Sequence, residues 1–61
     1  MQGRDLKAEI ARAGLHSYRV AAECGINPTR LSKILNDRAP LTDRDRNRIL
    51  EALGRLAGAR A

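Results

Sequence analysis

At 61 residues the chain has room for a single small domain, residues 1–61, near the length at which one core becomes marginal without disulfides, metal or a partner. Hydrophobic residues make up 43% but include one Tyr and no Phe or Trp, so any core must be built from Leu, Ile, Val and Ala, which favours an all-α bundle over an extended sheet. Twelve Lys and Arg against seven Asp and Glu give a formal +5, spread along the chain rather than gathered in a basic tail, and this surplus points toward a polyanion.

Leu6, Ile10 and Ala13 recur at helical spacing, with Lys7, Ala8, Ala11 and Arg12 on the opposite side. Gly14 follows where a helix-ending glycine is favoured, so the spacing predicts a first helix over about residues 4–13. A second helix fits Ser17 to Cys24, with Val20, Ala21 and Cys24 inward, Gly25 as terminator, and His16 or Ser17 as cap. Asn27 is a good N-cap and Pro28 suits the first helical position, so a third helix is expected from Pro28 to about Asn36. After "DRAPL", Thr42 caps a fourth helix whose first turn carries Asp43 and Asp45, where the helix dipole favours negative charge. Ile49, Leu53 and Leu56 form its inward stripe, and Gly54 either ends this helix or only weakens it. The expected fold is an all-α bundle of four to five helices.

Cys24 and His16 stand alone as cysteine and histidine, which excludes an intrachain disulfide and leaves a tetrahedral zinc site short of ligands. Cys24 reads as a small core residue, and no cofactor, metal or small-molecule ligand is expected. No nucleophile or acid–base constellation accompanies His16, so the chain is not expected to be an enzyme. No apolar run approaches the roughly 20 residues of a membrane span and the start lacks the apolar core of a signal peptide, so a cytoplasmic location without membrane contact is expected.

Counted from Ser17 as position one, apolar residues fall at four (Val20), eight (Cys24), ten (Ile26), fifteen (Leu31) and eighteen (Ile34), with Ala21 fifth and Gly25 ninth. Two short helices crossing at about 90 to 120° need a small residue where their backbones approach and a turn residue tolerant of positive φ. Ala21 and Gly25 meet those needs. The segment of about residues 17–36 resembles the helix-turn-helix of DNA-binding repressors. The wider stretch "GLHSYRVAAECGINPTRLSKILN", with a helix before it, is similar to the phage repressor and Cro (lambda-repressor-like) family across nearly the whole chain. From Tyr18 through "VAAECGINPTRLSKILN" to "PLTDRDRNRILEAL" the chain is similar also to the headpiece of lac-type repressors, although that likeness omits the first helix. His16 departs from the phage pattern, which has Ser or Thr there.

The resemblance implies a repressor-like regulator of transcription that reads double-stranded DNA through its third helix. At 100° per residue Leu31, Ile34 and Leu35 share one face of that helix, Thr29, Lys33 and Asn36 the other, with Arg30 and Ser32 on the flanks. Lys33 can donate to guanine O6 and N7, and Thr29 can meet a thymine methyl or a neighbouring acceptor. Thr29, Lys33 and Pro28 also stand where the resembled families place base contacts. Phosphate contacts are expected from Ser17 and Tyr18 at the start of the second helix, and from Arg19, Arg30, Ser32, Asn36 and Arg38. Asp43, Asp45 and Glu51 lie within reach of Arg44, Arg46 and Arg48, so the fourth helix reads mainly as scaffold.

Repressors of this kind bind as two-fold dimers on half-sites about 34 to 36 Å apart. Leu50, Gly54 and Ala57 stand off the inward stripe and, with the "LAGARA" tail, are the expected self-contact of a homodimer formed at least on a palindromic operator. The alternative class is a protein-interaction module, such as an antitoxin-like or phage accessory domain. RNA binding is a third reading, disfavoured because Tyr18 is the lone aromatic for stacking.

Overall fold

A computed structural model describes residues 2–60, and side chains as far as residue 58. Among the described residues the chain forms four α-helices and no strand: α1 (Gly3–Arg12), α2 (Ser17–Cys24), α3 (Pro28–Leu35) and α4 (Asp43–Arg60). The part of the "LAGARA" self-contact that falls on the side chains of residues 59–61 lies outside the described residues.

α1, α3 and α4 each start with a polar side chain bonded to backbone N–H. The backbone N–H of Gln2 donates to Asp5 Oδ2 at 2.7 Å, which starts α1 one residue earlier than its apolar spacing implies. Asn27 Oδ1 accepts from the N–H groups of Thr29 (2.9 Å) and Arg30 (3.4 Å), and Pro28 occupies the first helical position of α3. Thr42 Oγ1 accepts from the N–H of Asp45 at 3.1 Å and opens α4.

The ends of α1, α2 and α3 share one solution. A residue in the left-handed region follows the helix, and the next N–H reaches back five residues: Leu15 to the Ile10 carbonyl, Ile26 to the Ala21 carbonyl, Arg38 to the Lys33 carbonyl. Gly25 (φ 73°) fills that place after α2 and closes the connection to α3 in three residues. After α3 it is filled by Asp37 (φ 59°), a side chain short and polar enough to tolerate the conformation.

α4 has no such stop and continues through Gly54. Its buried stripe is Ile49, Ala52 and Leu56, so Ala52 holds the central place assigned by spacing to Leu53, which lies half-buried at the core edge. A Cβ at Gly54 meets nothing within 4 Å. Gly54→Ala should therefore raise the unfolding free energy by about 0.5–1 kcal/mol, the difference in helix propensity. Denaturant unfolding checks this, and an unchanged or lowered midpoint would contradict it.

Leu6, Val20, Leu31, Ile34 and Ile49 are fully buried and draw all four helices onto one core. Each contributes about 1.5–3 kcal/mol of hydrophobic burial. α2 packs on α4 and α3, and α3 packs on α1. The α1–α3 approach is close at one point, since a Cβ built on Gly3 would stand 1.8 Å from the Ile34 carbonyl oxygen.

Candidate nucleic-acid interface

α3 divides as its spacing predicts. Leu31, Ile34 and Leu35 are buried, whereas Pro28, Thr29, Arg30, Ser32, Lys33 and Asn36 are exposed. The Asn27 cap satisfies the first free N–H groups of α3, and the Thr29 hydroxyl has no partner among the described residues. The Lys33 ammonium makes no hydrogen bond or ion pair there either, although six other basic side chains do.

The other polar groups of α3 are engaged. Asn36 Nδ2 donates to the Ser32 carbonyl (2.8 Å) and approaches Ser32 Oγ (3.5 Å), and Asn36 Oδ1 accepts from Lys7 Nζ at 2.8 Å. Asn36 thus ties the end of α3 to α1 and brings Lys7 beside the exposed face. Arg30 donates from Nη2 to Asp45 Oδ2 on α4, with its side chain half exposed. A guanidinium has five N–H donors, so this bond leaves others to face solvent. Arg38, past the α3 end, is exposed and its side chain is unpaired among the described residues.

At the start of α2, His16 rather than Ser17 occupies the N-cap, in an extended conformation (φ −100°, ψ 145°) and without a side-chain cap bond. Of the two candidate caps it is therefore His16 that holds the position: the His16 carbonyl already accepts from Arg19 and Val20, which makes Ser17 the first helical residue. The N–H groups of Ser17 and Tyr18 have no acceptor among the described residues and carry the positive end of the α2 dipole. The Tyr18 ring stacks on His16 at 5.5 Å and is exposed, and Arg19 beside it is exposed without an ion pair. Lys7, Leu15, His16, Ser17, Ser32 and Asn36 line an open cleft of about 370 Å³ between this helix start and the end of α3.

The remaining basic charge is largely compensated. Arg46 pairs with Asp43 at 3.4 Å, Arg48 with Asp45 at 3.8 Å, and Arg55 with Glu23 at 2.9 Å, while Arg44 and Glu51 form no ion pair among the described residues. Leu50 is 39% exposed, and Gly54 and Ala57 are exposed along the same flank. Cys24 is buried, its Sγ 3.7 Å from the Ala21 carbonyl oxygen. Among the described residues no group of His, Cys, Asp and Glu is arranged to hold a metal, and no helix is long and apolar enough to cross a membrane.

Two features of this surface escape a reading by local rules. Lys7 reaches it from α1, 29 positions away from Asn36. Asp45 is buried, and its signal lies in the spacing 45, 49, 52, 56, which sets a carboxylate on the inward stripe of α4. Comparison with family models, with curated proteins and with solved structures returns no match to this chain.

Proposed function

We propose that this domain binds double-stranded DNA by laying the exposed face of α3 in the major groove, as a cytoplasmic repressor-like regulator. The observation that carries the reading is the pairing of two open features: an unpartnered Thr29 and Lys33 on a short exposed helix, and unpartnered N–H groups at the start of α2. The major groove admits one α-helix, and its base edges present the acceptors and methyl groups suited to Lys33 and Thr29, with Pro28 in apolar contact at the helix start. Helix N-termini favour phosphate, so Ser17 and Tyr18 flank a backbone position, with Arg19, Arg38 and the free donors of Arg30 around it. Ser32 and Asn36 add neutral donors, and the Lys7 ammonium on Asn36 adds charge. The domain acts by occupancy of its site and performs no chemistry of its own.

Half-sites read by one short helix are small, and two copies joined through the Leu50, Gly54 and Ala57 flank double the contact on a palindromic site. The test is selection of a duplex from a random pool followed by titration at several salt concentrations. A domain touching about four phosphates gives a slope near −3.6 in log K against log salt, at about −0.9 per phosphate. A slope near zero, or a pool that yields no preferred duplex, contradicts the reading.

A further inference from the structure

We propose that Asp45 is a positioning residue, a buried hub that sets the pose of α3, and the inference rests on the DNA-binding reading only for its functional consequence. Its side chain is 5% exposed. One oxygen accepts from Arg30 in the first turn of α3. The other faces Arg48 Nη1 at 3.8 Å, and Arg48 Nη2 donates at 2.7 Å to the Cys24 carbonyl, one of the carbonyls left open at the end of α2. Thr42 fixes the Asp45 backbone in turn.

The hub therefore holds both sides of the three-residue connection Gly25 to Asn27, from the last residue of α2 to the first turn of α3. Arg30 to Asp45 is the one hydrogen bond between α3 and α4 side chains among the described residues, whereas α2 and α4 are also joined by Arg55 and Glu23. The Lys7–Asn36 bond fixes the far end of α3, and apolar contact alone would leave its first turn free to tilt on a core of Leu and Ile. Directional bonds to a fixed carboxylate remove that freedom. A buried ion pair adds little net stability over a well-packed apolar substitute, because desolvation offsets most of the attraction. What Asp45 contributes is a single orientation for Thr29 and Lys33.

The test is Asp45→Asn, which keeps the shape and removes the charge, compared with Ile49→Val as a control destabilised in the core. Amide residual dipolar couplings of the free protein should show α3 reoriented against α4 in Asp45→Asn and unchanged in Ile49→Val. On the duplex selected by the wild-type chain, the ratio of matched to scrambled affinity should fall about tenfold for Asp45→Asn and stay constant for the control. Wild-type couplings in Asp45→Asn overturn the proposal. So does an unchanged affinity ratio. If no duplex is discriminated by the wild-type chain, the DNA reading falls while the couplings still judge the hub. Should Asp45→Asn not fold, Arg30→Gln, which leaves Asp45 beside Arg48, is put to the same couplings, and an unmoved α3 is again the contrary result.

Discussion

Gly3→Ala lowers the unfolding free energy by about 1–3 kcal/mol, the usual cost of overpacking a filled interface. The added Cβ lands 1.8 Å from the Ile34 carbonyl oxygen and 2.8 Å from its carbon, well inside contact distance. Neither side can yield by a rotamer change, because the obstacle is backbone. That carbonyl accepts from the Asp37 N–H at the α3 end, and Leu31, Ile34 and Leu35 anchor the same turn in the core. Alanine's better helix propensity, worth at most about 1 kcal/mol, opposes the loss without matching it. In a domain of this size each kcal/mol moves the melting temperature by about 4–8 °C. Thermal unfolding followed by circular dichroism gives the answer, and a melting temperature equal to wild type would mean that α1 does not approach α3 at this point.

Lys33→Ala removes about 1–3 kcal/mol of discrimination, a fall of about 5- to 150-fold in affinity for the selected duplex with little change for a scrambled one. Lys33 is exposed and unpartnered, so stability should stay within about 0.5 kcal/mol of wild type, and any loss belongs to recognition. Arg38→Ala is the contrasting variant: it should weaken both duplexes alike and flatten the salt slope by about 0.9. Arg30→Ala is a poorer probe of phosphate contact, since it also breaks the bond to Asp45. Competition titrations with both duplexes decide the matter. Equal losses on the two for Lys33→Ala contradict its role in base contact.

Much of the fold follows from rules that act over four or five residues, and those parts were legible. Asn27 with Pro28, Thr42, Gly14 and Gly25 each set a helix boundary through a hydrogen bond or a φ value that neighbouring residues alone determine. The exposed face of α3 was legible for the same reason, since 100° spacing separates Leu31, Ile34 and Leu35 from Thr29 and Lys33. Asp37 in the left-handed region was not, because aspartate there has no pattern as strong as glycine's. Gly54 passed through α4 because a glycine ends a helix only when the chain also turns to bury its next residue, and nothing packs beside it.

The features set by tertiary approach were invisible to local rules. The need for glycine at position 3 exists because α3 arrives from 31 residues further along. Which arginines stay free depends on partners such as Asp45, 15 residues from Arg30, and Glu23, 32 residues from Arg55. Asp45 itself carried two signals, a first-turn acid favoured by the helix dipole and a member of the buried stripe. The first is shared with Asp43 at the surface, and only the second, the spacing to Ile49, Ala52 and Leu56, distinguishes the pair.

The most direct measurement is amide chemical-shift mapping of the ¹⁵N-labelled chain titrated with the selected duplex in moderate salt. The account predicts the largest changes at Ser17, Tyr18 and Arg19 and along Thr29 to Asn36, with Thr29 and Lys33 foremost in the last segment and smaller ones on α4. Changes confined to the Leu50, Gly54 and Ala57 flank, or none at Thr29 and Lys33 at saturation, would contradict it.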